Sequence, residues 1–155
     1  MTTRAVLCFL LYKESILLIR KKRGFGAGKI NGVGGRVERG ESLESAVVRE
    51  VQEEIGVKVS SLRPAGTLKF YSSSSEPDWI VHVFLSNHFE GQPTSSDEAE
   101  PHWYHMDALP YEDMWEDDRI WLPYVLKGWT VEGEFWFDEG YKRLLRWALT
   151  ARFNV

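Results

Sequence analysis

Glu50, Glu53 and Glu54 stand at i, i+3 and i+4. On a helix that spacing puts three carboxylates on one face. Leu43, Val47, Val51 and Ile55 recur every fourth residue and form a separate apolar stripe. Three like charges on one face repel unless something positive sits among them. Two readings compete. A carboxylate-rich face is commonly a solvated surface. The alternative is a site for hard divalent cations, which take oxygen ligands. Arg49 stands beside them and can orient a carboxylate through a bidentate pair. Upstream, Gly34 and Gly35 allow close backbone approach, and backbone carbonyls also ligate hard cations.

The spacing separates the readings. Gly35, Glu41, Arg49, Glu50, Val51, Glu53, Glu54, Gly56 and Val57 fit the pattern G-x5-E-x7-R-E-U-x-E-E-x-G-U, where U is a bulky aliphatic, at every specified position. This run resembles the Nudix box of the Nudix hydrolases, in which the box holds Mg2+ against a diphosphate. The resemblance implies Glu50 and Glu54 as main metal ligands, with the Gly34 carbonyl as a further one. Glu53 would be ligand or general base, and Glu41 and Arg49 would support them. Mg2+ is the expected cofactor, with Mn2+ as the alternative. The implied fold is α+β, an α/β/α sandwich with a mixed β-sheet packed between helices.

The elements around the box must position it. Residues 5–12 and 16–20 read as strands joined by the turn at 13–15. Glycines mark a loop from Lys21 to Lys29, whose basic residues are either a solvated turn or a phosphate-facing patch. Residues 30–33 read as extended, and Asn31 is a turn residue or a reader of a base edge. Ser42 suits an N-cap with Glu44 in the first turn, and Gly56 suits the residue closing the helix. Residues 62–72 and 79–89 read as strands. In the second, Ile80, His82 and Phe84 alternate with Val81, Val83 and Leu85, which suits a central position. His82 reads as structural. Residues 91–101 form a polar loop carrying Asp97, Glu98 and Glu100, either solvated or lending one carboxylate to the metal site. Residues 102–106 read as a short strand, 115–127 as a helix ended by Gly128, and 129–137 as a strand. Periodicity in the tail fits helix and strand alike.

The segments around Lys21–Gly28, Asn31-Gly32, His82–Phe84, Ser96–Glu98 and Asp113–Asp118 are similar to the MutT-homologous branch of the family, whose animal members hydrolyse oxidised purine nucleoside triphosphates. That resemblance makes the tail a strand. It implies that Asn31, Asp117 and Asp118 hydrogen-bond the base, that Trp115 stacks on it, and that Phe25 and Phe70 line the pocket. Lys21 would approach the phosphates, Gly35 would border the substrate, and Glu98 would join the metal site. Read without it, residues 115–118 are equally a helix start with Asp near the positive end of the dipole. Adjacent carboxyls in a buried pocket do not both ionise, so one can donate a hydrogen bond. Ile30, Val33, Val6 and Trp79 depart from the mammalian pattern in the pocket wall.

Bulk properties set the outer limits. A chain of 155 residues suits a single domain, residues 1–155, with 43% hydrophobic and 27% charged residues. A net charge of −4 argues against long nucleic acid and leaves a small nucleotide as the expected partner. The apolar run at 5–12 is interrupted by Lys13-Glu14, and no segment approaches the roughly 20 apolar residues of a membrane helix. The lone Cys8 fits a reducing compartment. The expectation is a cytoplasmic monomer without membrane contact. Other functions compatible with the residues are hydrolysis of methylated purine triphosphates or of another nucleoside diphosphate derivative. A non-catalytic nucleotide- or RNA-binding module is the alternative of a different class.

Overall fold

The computed structural model describes residues 1–153. The central strand is β1 (Thr3–Tyr12), and its alternation organises everything else. Val6, Cys8 and Leu10 point to one side and Leu7 and Phe9 to the other. Both sets are buried because a helix covers each face. The helix α1 (Leu43–Ile55) packs Val47, Val51 and Ile55 against Val6, Cys8 and Leu10. The helix α2 (Asp118–Leu126) packs Trp121, Leu122 and Val125 against Leu7 and Phe9.

The remaining strands are β2 (Ser15–Lys21), β3 (Ile30–Asn31), β4 (Val33–Arg36), β5 (Lys58–Ser60), β6 (Arg63–Tyr71), β7 (Trp79–Ser86), β8 (His88–Glu90), β9 (Ala99–His105), β10 (Thr130–Phe137) and β11 (Leu144–Arg152). They form a sheet in the order β11-β10-β6-β7-β1-β2-β3, with β4 also on β1 and β9 on β2, and a separate β5-β8 ribbon. The sheet is mixed: β1 runs parallel to β7 and β6 to β10, while β6–β7 and β10–β11 are antiparallel. This is the expected α+β arrangement of a mixed sheet between helices.

Local chemistry explains the box helix. Ser42 Oγ accepts the Ser45 N–H at 3.1 Å, and Gly56 closes the helix with φ +69° and its N–H on the Gln52 carbonyl. The tail is a strand, β11.

Some boundaries differ from the sequence reading. The second helix starts at Asp118 rather than 115. Asp117 looks like a cap, yet its carboxylate accepts the Trp121 indole N–H at 2.8 Å instead of a helix N–H. Residues 79–89 are two strands. The buried Ser86 hydroxyl donates to the Ser60 carbonyl at 2.5 Å and accepts the His88 N–H at 3.0 Å, which turns the chain onto β5. Residues 58–60 form β5, which pairs antiparallel with β8. The polar loop expected to 101 ends at Ala99, which already pairs with Lys21.

No helix among the described residues is long and apolar enough to cross a membrane. Cys8 is buried and free, and burial pushes its thiol up to about 12.

Candidate active site

Gly34 and Gly35 are required by contact. A Cβ on Gly34 would lie 2.0 Å from the Val6 carbonyl oxygen, and one on Gly35 would lie 2.5 Å from the Glu50 carboxylate. The bare backbone of β4 therefore lies against β1 on one side and against α1 on the other. Gly34 N–H donates to Glu54 Oε2 at 3.1 Å, fixing that carboxylate beside the strand.

Arg49 is the hub of the acidic face. Its Nε and Nη2 donate to the two oxygens of Glu41 at 2.8 and 2.9 Å. Nη1 reaches Glu50 at 2.6 Å and Glu53 at 3.4 Å, and Nη2 also donates to the Arg36 carbonyl at 3.0 Å. The bidentate pair holds Glu41 down to about 2. Glu50 is raised, chiefly by burial, against the opposing pull of Arg49. Glu54 is pushed up to about 8 by burial, then by the charge of Glu50.

Those shifts test the fit to a cation. Two desolvated carboxylates repel each other at the end of a glycine-lined strand, and every donor is a hard oxygen. A divalent cation there reverses the penalty and favours both ionised forms. Among the described residues no three acidic, His or Cys side chains already converge as a cage. Arg49 draws Glu50 and Glu53 aside, and the Glu53 side chain is 61% exposed. Glu98 sits at the rim, where Arg23 Nε donates to it at 2.9 Å. Its charge nevertheless contributes to raising Glu54, and that of Lys21 opposes it, so both charges lie near that carboxylate.

A cavity of about 310 Å³ includes Glu54 in its lining. Glu54, Gly34, Gly35 and Lys21 line it, and so do Asn31, Phe70, Trp115, Asp117 and Asp118, with Phe25 among them. Asn31 Oδ1 accepts the Gly32 N–H at 2.8 Å, which leaves its NH2 as the donating group. Asp117 and Asp118 are buried side by side. Burial pushes Asp117 up to about 6, and burial together with the charge of Asp117 raises Asp118 well above the usual range. Asp118 Oδ2 is buried with no hydrogen-bond partner. A buried carboxyl oxygen left without a partner is uncommon in a folded chain.

The sequence reading missed Tyr141 and Arg36, and noted Trp79 only as a departure. All three line the cavity. Trp79 was within reach, because alternation along β7 puts it on the face of Val81, another lining residue. His82 lies on the opposite face, where Arg4 Nη1 donates to its Nε2 at 2.9 Å. Burial and the Arg4 charge lower its pKa, and it has no part in the cavity.

Carboxylate helix, glycine strand and pocket stand together on one mixed sheet, the setting of a Nudix hydrolase acting on diphosphate bonds, and the comparisons with known proteins agree. The chain belongs to the Nudix family: the NUDIX domain matches residues 1–125. It is 40% identical over 133 residues to the oxidized purine nucleoside triphosphate hydrolase of Mus musculus, covering 86% of this chain and 85% of that protein. It is 43% identical over 123 residues to the protein of the same name from Danio rerio, covering 79% of each. Among solved structures, the MutT protein from Bacillus halodurans superposes with a TM-score of 0.82 at 24% identity, over 95% of this chain and 97% of that one, which shows the shared fold.

Proposed function

We propose that this chain hydrolyses oxidised purine nucleoside triphosphates, 8-oxo-dGTP foremost and 2-hydroxy-dATP as a second substrate, to the monophosphate and pyrophosphate, and so clears damaged nucleotides from the pool. One observation carries the reading. A single cavity is lined by Glu54 and Lys21 and also by the Asp117–Asp118 pair and Trp115. A ligand filling it presents an anion to the former residues and a flat polar ring to the latter.

Glu50, Glu54, Glu53 and the Gly34 carbonyl would hold Mg2+, or Mn2+ in its place, with Glu98 completing the set from the rim. The bound cation supplies charge neutralisation and polarisation at the phosphoryl group. Glu53 or Glu54 accepts the proton of the attacking water. Arg49, anchored on Glu41, keeps Glu50 oriented. Lys21 pairs with phosphate oxygens, and Gly35 leaves room for them. Asn31 donates to the base edge. The Asp pair shares a proton, so one member donates while the other accepts, and exchanging the roles suits more than one oxidised purine. Trp115 stacks on the base, and Phe25 and Phe70 close its apolar surround.

The lone buried Cys8 suits a reducing compartment, in keeping with a cytoplasmic monomer. The test is a nucleotide panel with pyrophosphate readout, in Mg2+ and in EDTA. Turnover of 8-oxo-dGTP well above dGTP, abolished by EDTA, is expected. Equal turnover of the two, or preference for a methylated purine triphosphate or nucleotide sugar, overturns the assignment.

A further inference from the structure

The Phe25 ring stacks on two indoles at once: Trp115 at 5.3 Å with planes 23° apart, and Trp79 at 6.2 Å with planes 18° apart. Tyr141 meets it edge-on at 5.5 Å. Of the three near-parallel rings, Phe25 is the exposed one, at 53%, and it rides between Gly24 and Gly26, both at positive φ near 80°. Trp79 is built in more firmly. The preceding residue, Asp78, accepts the Ser72 hydroxyl at 2.6 Å and the Tyr141 phenol at 2.5 Å. Its backbone N–H bonds the Phe70 carbonyl at 2.7 Å, and its carbonyl accepts the Thr3 N–H at 2.9 Å. Four hydrogen bonds thus converge on Asp78, the residue just before β7, and hold the backbone that leads into Trp79. The Arg36 guanidinium lies over the Trp79 ring, 5.6 Å from its centroid, and adds a positive charge to this wall.

We propose that Trp79 is a specificity-determining residue of this cavity: a second stacking face that works with Trp115 on a two-ring base. The ligand ring enters parallel to the existing stack, and the exposed Phe25 is the ring that yields. Stacking on an aromatic side chain is tolerant of base identity and grows with ring area. Trp79 therefore selects for purine over pyrimidine, while the polar edge readers select among purines. This rests on the purine-nucleotide reading above.

The test titrates 8-oxo-2′-deoxyguanosine monophosphate, and thymidine monophosphate for comparison, into wild type, Trp79→Ala, Trp79→Phe and Trp115→Ala in EDTA. Steady-state kinetics in Mg2+ accompany the titrations. Trp79→Ala is expected to weaken purine monophosphate binding about tenfold, with a smaller loss for the thymidine compound. Its KM rises in step while kcat stays within about twofold, and Trp79→Phe regains most of the loss. Wild-type affinity in Trp79→Ala alongside lost binding in Trp115→Ala overturns the second face. So does a fall in kcat without a change in KM, or a failure of Trp79→Phe to rescue. A wild type that cleaves another diphosphate but binds no purine monophosphate overturns the purine reading, and this inference with it.

Discussion

Asp117 and Asp118 are neighbours in sequence, both buried, and unequal: Asp117 Oδ2 accepts the Trp121 indole N–H at 2.8 Å, whereas Asp118 Oδ2 has no partner. Burial raises both, so the folded state holds protons that the unfolded chain releases near the ordinary aspartate value of 3.8. A raised folded pKa gives stabilisation that is fully present below the unfolded value and is lost as pH climbs through the folded one. Metal-free protein should therefore melt at falling temperature as pH rises from about 4 through 6 and beyond. Asp118→Asn should flatten that slope, read by calorimetry across the pH range. A slope unchanged in the variant contradicts the shared-proton pair.

Glu54→Gln should lower kcat by about 10²- to 10⁴-fold, the usual scale for losing a positioned acid–base group. The fold should survive, because glutamine still accepts the Gly34 N–H. At pH 8 without metal the variant should melt no lower than wild type, since the repulsion between Glu50 and Glu54 is gone. Rate measurements and melting curves on one preparation check both halves.

Asp117→Asn should act on the base and spare the cation. KM for 8-oxo-dGTP should rise about tenfold or more, the scale of a lost hydrogen bond to a charged or shared-proton group. The Mg2+ concentration for half-maximal rate should stay within about twofold. A shift in the Mg2+ requirement equal to the shift in KM refutes separate roles for Asp117 and the glutamates.

Gly34→Ala should destabilise the fold by about 3 kcal/mol or more, because its Cβ meets a backbone carbonyl that β1–β4 pairing holds in place. Gly140→Ala is the control: its nearest neighbour is a lysine methylene at 3.7 Å, and its effect should stay within about 0.5 kcal/mol. Denaturant titration of both distinguishes the contact from a general cost of losing glycine.

The box helix was legible because its determinants are local. Ser42, Gly56 and the glutamate spacing lie within one element, and each acts over a few residues. Asp117 misled as a helix start because Trp121, one turn on, takes the carboxylate a cap would use. Glu98 was one of three acids in a polar loop, and only folding brings Arg23 to it across 75 residues. Tyr141 gave no signal. It reaches the cavity through a backbone at φ +57° and bonds Asp78, 63 residues away. Sequence pattern carries periodicity and capping well. It carries contacts between distant connections poorly, and the far wall of the cavity is made of those.

The double-sided burial of β1 has a further consequence. Val6, Cys8 and Leu10 are clamped by α1 while Leu7 and Phe9 are clamped by α2, so the strand cannot slide or tilt without disturbing both halves of the core. Ala5, Val6 and Leu7 also line the cavity floor. A shift of either helix is therefore transmitted through β1 to the cavity wall, and a substitution under one helix is felt at the residues that the other helix brings to the cavity.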